Sequence, residues 1–341
     1  IGWRGKEEQS EKIQQGSRVR GKGVAVMIKT TMTPSNSNAI VRLSPDGSAT
    51  LLSGSVEIGQ GTLTSLAQIV AEELGIPANK VSVTFPDTDV TPFDQSTSSS
   101  RTIFNMGRAS WEAAKQVKTQ LLDIGAKALE ARVEDLELRD GAVQVKGVPD
   151  RKRTIAQLFQ THFGAAVGCL FGNFGFQSTG GIDPRTGKGK ASAFFFFSAC
   201  AAEVEVDTET GRIRIEQLIS AVDAGRAINP RQCHMQNEGS MIMSLGSSLF
   251  EEMVFDNGQP INLSFVEYMP ASMEDHPANF NSFLIETPHP EGPFGAKGMG
   301  EAGLGPVEPA IGNAVANALN GRRIKDLPLR PDRVVAALQR R

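Results

Sequence analysis

Residues 292–303 read Gly-Pro-Phe-Gly-Ala-Lys-Gly-Met-Gly-Glu-Ala-Gly and set five glycines around one carboxylate, Glu301. Glycine lets a backbone approach a ligand that a Cβ would hold off. A lone carboxylate in such a loop suits a general base rather than a solvated surface. The spacing predicts a tight, water-poor pocket around Glu301. Residues 298–303 also satisfy G-x-G-x-x-G. They follow no clear strand and carry their acid inside the motif, which argues against a dinucleotide site. No GK[ST] is present, so a phosphate loop of that type is excluded.

Two other segments carry polar groups suited to a ligand. Gly59-Gln60-Gly61 falls between a strand pattern and a helix start. A helix N-terminus offers unpaired N–H groups and the positive end of a dipole. Gln60 can both donate and accept, which suits the edge of a heterocycle. A plain glycine turn that starts a helix reads the same way. Thr97, Ser98, Ser99 and Ser100 lie in a hydroxyl-rich run. They could serve phosphate groups or simply form a polar surface loop. Residues 194–197, four phenylalanines, read as a strand buried on both faces. His234 reads as a satisfied helix residue and His289 as structural, near the Glu301 loop. Asp223, just before Gly225, reads as a turn residue.

The chain has 341 residues, a net charge of -3 and 40% hydrophobic content. That is enough for a large domain or two lobes with a substantial core. Basic residues form no block, which gives no electrostatic case for nucleic acid or an anionic membrane. No apolar run reaches the roughly 18–20 residues of a spanning helix. The four histidines show no metal-binding spacing. Cys169, Cys200 and Cys233 form no C-x-x-C pair, so they build neither an iron–sulfur nor a zinc site alone. A reducing compartment is the default, and the expected location is cytoplasmic, with the periplasm as the alternative.

The elements that must position these groups follow from periodicity. Residues 39–43 and 49–52 predict a hairpin across Ser44-Pro45-Asp46-Gly47. Leu63, Leu66, Ala67, Val70 and Leu74 mark a helical face ended by Gly75 and Pro77. Residues 80–85 predict a strand, 107–131 a long helix, 136–145 a hairpin and 154–159 a short helix with a Thr cap. Residues 163–190, rich in glycine, predict a long loop at a lobe boundary. Residues 191–206 and 212–222 predict two long strands, followed by helices over 230–250 and 306–319. Mixed hairpins and helices predict an α+β fold. The expected division is a charged N-terminal arm over 1–20, a first α+β lobe over 21–165 and a second over 166–341.

Taken together, Val56-Glu57-Ile58-Gly59-Gln60-Gly61, the loop and helix start at 95–108, and 295–301 resemble the molybdenum hydroxylases. This is the xanthine dehydrogenase / aldehyde oxidoreductase family, in its molybdopterin-binding large subunit. Residues 221–225, 228–230 and 236–239 fit the same pattern, and the resemblance runs from about Arg20 to the C-terminal end. It implies a two-lobed molybdopterin-binding domain with mixed sheets and packed helices. It implies that Gly59, Gln60, Gly61, Thr97, Ser98, Ser99, Ser100, Gln236, Lys297, Gly298 and Gly300 hold the cofactor, favoured in its cytosine dinucleotide form. Glu301 would be the catalytic base. The pterin would carry the molybdenum, with no side chain as metal ligand. The implied reaction inserts a water-derived oxygen at an electron-poor carbon of an N-heterocycle or an aldehyde. A non-catalytic cofactor scaffold of the same fold is the alternative. This chain matches the second half of that subunit, so another molybdopterin-binding chain or an N-terminal half would complete the site. An Fe–S subunit and an FAD subunit would carry the electrons. Residues 28–38, with Lys29, Thr30 and Thr31, would approach the substrate channel.

Overall fold

The computed structural model describes residues 1–3 and 14–339. Much of the charged arm expected over 1–20 therefore lies outside the described residues. The fold is α+β, as expected, and is built on two main sheets.

A long strand, β1 (Arg18–Thr30), comes early in the chain and belongs to the second sheet. The first sheet starts with β2 (Ser35–Leu43), β3 (Ala49–Ser53) and β4 (Val81–Val83). Helix α1 (Thr62–Leu74) lies between β3 and β4, and α2 (Thr102–Leu129) follows. A small antiparallel sheet comes next, from β5 (Leu136–Arg139), β6 (Ala142–Val145) and β7 (Val148–Thr154), and then α3 (Ile155–Phe163). Thr154 caps α3 through a capping box with Gln157. Strand β8 (Leu170–Ser178) pairs antiparallel with β2, giving a sheet of order β4-β3-β2-β8.

Strand β8 corrects the loop expected over 163–190. Its glycines suggested a loop, but Gly172 serves close packing instead. A Cβ there would lie 2.0 Å from Ala113 O, so only glycine lets α2 rest directly on the strand. Between that sheet and helices α1 and α2 lies the first core, with Val41, Leu51, Leu66, Ile69, Val117 and Leu121.

Strands β9 (Phe195–Asp207) and β10 (Ile213–Asp223) form a long antiparallel pair. Strand β11 (Asn279–Ile285) joins β10 in parallel. Strand β1 pairs with β9 over its whole length, so sheet membership does not follow chain order. Gln14–Gln15 pairs at the outer edge of β1. Helices α4 (Pro230–Leu249) and α5 (Val307–Ala318) cover one face of this sheet, and α6 (Pro331–Gln339) ends the described chain. Val204, Leu218, Met241, Val307, Ile311 and Val315 form the core there.

The four phenylalanines are not buried on both faces. Phe194 and Phe196 are buried, whereas Phe195 is 40% and Phe197 50% exposed. Strand alternation decides this, because only one face of the sheet carries helices. A third cluster, with Phe104, Phe194, Phe196, Val222 and Met299, joins the two halves of the fold and underlies the Glu301 loop.

Candidate active site

The candidate residues converge on one cleft of about 350 Å³ between the two sheets. Helix α1 presents Thr62 and Ser65, α2 presents Thr102 and Ile103, and α4 presents Gln232 and Cys233 to it. Three helix N-termini thus open on the same space. None carries an acid in its first turn. Their dipole ends make the cleft favourable to anions, although side chains already cap Leu63 N of α1 and Gln232 N of α4.

The Gln60 loop sits at the start of α1. Glu57 Oε1 accepts from Gly59 N and Gly61 N, both at 2.9 Å, and Oε2 accepts from Leu63 N at 3.1 Å. One carboxylate therefore holds the turn and caps the helix. Gln60 lines the cleft, while Gly59 and Gly61 flank it. The Gln60 amide donates to Val56 O and Thr62 Oγ1 and accepts from Ile58 N. The side chain is thus oriented by its own loop. Gly61 has φ 81, and a Cβ there would run into the Gln232 amide at 2.4 Å.

Thr97, Ser98, Ser99 and Ser100 all line the cleft. Thr97 Oγ1 donates to Val56 O at 3.2 Å and ties this loop to the Gln60 loop. Ser98 Oγ pairs with Ser96 Oγ at 2.7 Å. Ser99 and Ser100 have φ 51 and 55, a left-handed conformation that side chains rarely adopt. Strain of this kind persists only where the surroundings enforce it. Thr31 Oγ1 donates to Ser99 O, and Ser100 Oγ bonds Glu301. Next to them Arg101, wholly buried and absent from the sequence-based expectations, anchors the loop. Its guanidinium donates to Asp94 Oδ1 at 2.8 Å, Ser96 O at 2.6 Å and Asn36 O at 2.9 Å, and to the Ser35 and Ser37 hydroxyls. Helix α2 starts at Thr102, five residues before the expected start, because Arg101 ends the loop there.

Glu301, Gly298, Gly300 and Lys297 line the opposite wall. Gln236 on α4 donates to Gly300 O at 2.7 Å and so holds this loop. Gly298 is required by contact, since a Cβ would lie 1.4 Å from Ser100 O. Lys297 Nζ lies 2.7 Å from Asp223 Oδ2, with both side chains 7% exposed. Asp223 Oδ1 accepts from Gly225 N and Thr287 N. Asp223 is therefore both the expected turn residue and the buried partner of Lys297. Lys297 reaches the cleft as half of a structural ion pair.

Glu301 is the only carboxylate among the described residues lining the cleft. It does not sit in a closed pocket, because its side chain is 40% exposed. This corrects the expectation of a water-poor setting: within this chain the loop opens to solvent. Oε2 accepts from Ser100 Oγ at 2.9 Å and Lys29 Nζ at 2.7 Å. Lys29 reaches Glu301 from β1, consistent with the expected approach of residues 28–38.

Arg226, Asn229, Gln232 and Cys233 also line the cleft. Sequence reasoning missed them as site residues. Asn229, just before Pro230, carried a signal, because Asn followed by Pro marks a helix start and Asn229 Oδ1 accepts from Gln232 N. Burial pushes the Cys233 thiol up to about 11, with Glu286 adding to the effect. It is thus a neutral wall residue at pH 7, not a thiolate nucleophile. His234 is satisfied by Ser282 Oγ at 3.1 Å. His289 packs against Phe104 and Phe194, with ring centroids 5.2 and 6.2 Å away.

A cleft that gathers helix N-termini and hydroxyls, with one held carboxylate on its wall, is chemically suited to an anionic ligand. Over residues 1–277 the chain matches the molybdopterin cofactor-binding domain, and it belongs to that family. It is 30% identical over 345 residues to the 6-hydroxypseudooxynicotine dehydrogenase complex subunit gamma of Paenarthrobacter nicotinovorans, covering 97% of this chain and 41% of that protein. It is 31% identical over 336 residues to the probable hypoxanthine oxidase XdhD of Escherichia coli (strain K12), covering 97% of this chain and 34% of that protein. The crystal structure of quinoline 2-oxidoreductase from Pseudomonas putida 86 aligns with TM-score 0.84 and 28% identity, over 95% of this chain and 42% of that one. The chain therefore spans less than half the length of these relatives.

Proposed function

We propose that this chain forms the molybdenum–pterin half-site of a hydroxylase, with Glu301 as its catalytic base. The substrate class is an N-heterocycle or an aldehyde, oxidised with oxygen drawn from water. The observation that carries this reading is the placement of Glu301. It is the one carboxylate among the described residues lining a cleft that also presents hydroxyls, side-chain amides, the cations Arg226 and Lys297, and apolar side chains such as Ile103 and Met299.

The donor set fits a molybdenum–pterin cofactor. Among the described residues no group of three or more His, Cys, Asp or Glu could hold a metal ion, and in this reading the pterin carries the molybdenum. The amides of α1, α2 and α4 suit its phosphates, and a cytosine dinucleotide form extends that anionic tail. Ser98, Ser99 and Ser100 would hydrogen-bond it, and Gln60, Gln236, Gly298 and Gly300 would lie against it. When bound, the cofactor supplies the two-electron redox chemistry and the oxygen transfer.

The chain's own residues handle the proton. Ser100 and Lys29 both engage Oε2, and Oε1 has no hydrogen-bond partner among the described residues. Oε1 is thus the atom that accepts a proton from the attacking oxygen. Fixing the carboxylate from two sides sets its distance to the reacting centre, which is where positioning contributes to rate. The 40% exposure of Glu301 supports completion of the site by a further molybdopterin-binding part, either another chain or a preceding half. Exclusion of water would follow from that contact. Electrons would leave through Fe–S and FAD partner chains. No helix among the described residues is long and apolar enough to cross a membrane. A cytoplasmic location is part of the proposal, with the periplasm as the alternative.

The test is Glu301→Gln in the assembled complex. Molybdenum per chain should be unchanged, and turnover of a quinoline-type substrate should fall by about 10²–10⁴-fold, the usual worth of a positioned base. Near-normal turnover would overturn the assignment. Full molybdenum loading with no turnover in the unaltered complex, across heterocycles and aldehydes, would favour a cofactor scaffold.

A further inference from the structure

Lys29 has a placement that holding Glu301 does not fully use. Its Nζ lies 2.7 Å from Glu301 Oε2. It reaches there from β1, opposite Phe196 on β9, with Nζ 5.8 Å from the Phe196 ring centroid. Just past the end of β1, Thr31 Oγ1 donates to Ser99 O at 3.0 Å, and Thr31 N donates to Ser192 Oγ at 2.9 Å. The backbone that carries Lys29 is therefore locked to the hydroxyl loop, and the ammonium is held at a fixed place beside the base.

An ammonium offers three N–H donors and no acceptor. Among the described residues, Glu301 Oε2 is its one hydrogen-bond acceptor. The Lys29 side chain is 27% exposed, so its remaining donors are within reach of a ligand. The charges nearby matter as well. A base carboxylate alone would repel an anionic substrate at the distance where chemistry occurs. Lys29 cancels that charge, Lys297 is already matched by Asp223, and Arg226 adds a positive charge to the cleft wall. The local balance favours an anion beside Glu301.

We propose that Lys29 is a specificity-determining residue that selects substrates carrying an anionic oxygen, such as a ring carboxylate, close to the carbon to be oxidised. The proposal rests on the reading of Glu301 as the base, because it takes the neighbourhood of Glu301 as the place where substrate reacts. A cation with free donors would bind such an oxygen by charge-assisted hydrogen bonds. The guanidinium of an arginine at this position would keep the charge, while methionine would keep the stem and remove it.

The experiment compares two probes that share one ring and differ in charge, pyridine-3-carboxylate and pyridine-3-carboxamide. Binding of each to the molybdenum-loaded complex is measured by calorimetry for the unaltered chain, Lys29→Met, Lys29→Arg and Glu301→Gln. Molybdenum per chain is counted in every sample, and circular dichroism checks the fold. The unaltered complex should bind the carboxylate about 10–100-fold more tightly than the carboxamide, as a hydrogen bond to a charged group allows. Lys29→Met should abolish that preference, with a larger loss for the carboxylate than for the carboxamide, and Lys29→Arg should retain most of it. Equal affinity for both probes in the unaltered complex, or a preference that survives Lys29→Met, would overturn the proposal. So would equal losses for both probes in Lys29→Met, which would make Lys29 a structural counter-ion only. Glu301→Gln separates the two readings. Full turnover in that variant would sink the base assignment, whereas loss of the carboxylate preference on Lys29→Met alone reports on Lys29.

Discussion

Ser100 and Glu301 hold each other from both ends: Ser100 Oγ donates to Glu301 Oε2 at 2.9 Å and accepts from Glu301 N at 3.1 Å. One hydroxyl thus fixes both the backbone and the carboxylate of the candidate base. It does so from a residue at φ 55. The left-handed backbone is what turns Ser100 across the cleft towards the other wall.

Ser100→Gly separates these two effects. Glycine adopts this φ without strain, which offsets part of the cost of the two lost hydrogen bonds and the freer unfolded chain, so thermal stability should fall only slightly. The loss of a hydrogen bond to a charged acceptor, roughly 1.5–3 kcal/mol, should reduce turnover by about 10–100-fold. Paired melting and steady-state measurements on the assembled complex check this. A fall in melting temperature with unchanged turnover would show that the hydroxyl serves the fold and not the base.

Gly298→Ala addresses the same contact from the other wall. The new Cβ would lie 1.4 Å from Ser100 O, a backbone atom that cannot swing away. One of the two loops must then shift. Overpacking of this kind typically costs about 1–3 kcal/mol and occasionally more. The expected outcome is a lower melting temperature together with reduced molybdenum per chain. Retention of full metal content would show that the cofactor does not depend on this loop contact.

Breaking the Lys297–Asp223 pair should be costly because both charges are buried. Lys297→Met leaves the Asp223 carboxylate without its counter-charge, and removing one partner of a buried pair costs roughly 3–5 kcal/mol. Asp223 would keep the Gly225 and Thr287 amides, which softens the loss. Urea unfolding of the purified chain measures it. A change under about 1 kcal/mol would indicate that water reaches the pair.

Much of this site is legible because its residues are close in sequence and special in type. Glycines around Glu301, and hydroxyls at Thr97 to Ser100, are local patterns, and the helices that follow them show in periodicity. The hairpin at Ser44 to Gly47 and the Thr154 cap are local in the same way. What was not legible depends on distance along the chain. Lys29 meets Glu301 across 272 positions, and Lys297 meets Asp223 across 74. No spacing rule predicts such pairs. Strand β8 was hidden for a different reason. Its glycines mark the close approach of α2, and composition alone cannot tell that use from a turn. Arg101 was hidden because a wholly buried arginine looks, in sequence, like any surface cation. The exposure of Phe195 and Phe197 is a property of which sheet face the helices cover, and no single strand carries that information.

His289 gives a pH test that leaves the proposed base untouched. Burial lowers its pKa below the ordinary 6.5, with Lys297 and Lys190 acting in the same direction and Glu291 against. The neutral ring is consistent with its contacts, since His289 Nδ1 accepts from Glu291 N at 3.2 Å. Between the native value and 6.5 the unfolded chain binds more protons than the folded one. Stability contributed by the neutral ring is therefore full above about pH 6.5 and declines as the pH falls below it. His289→Asn can keep an acceptor for Glu291 N and removes the titration. Melting temperature measured from pH 7.5 down to pH 5 should fall more steeply for the unaltered chain than for the variant. Parallel curves would show that His289 is protonated without cost, and that the ring packing with Phe104 and Phe194 does not require a neutral imidazole.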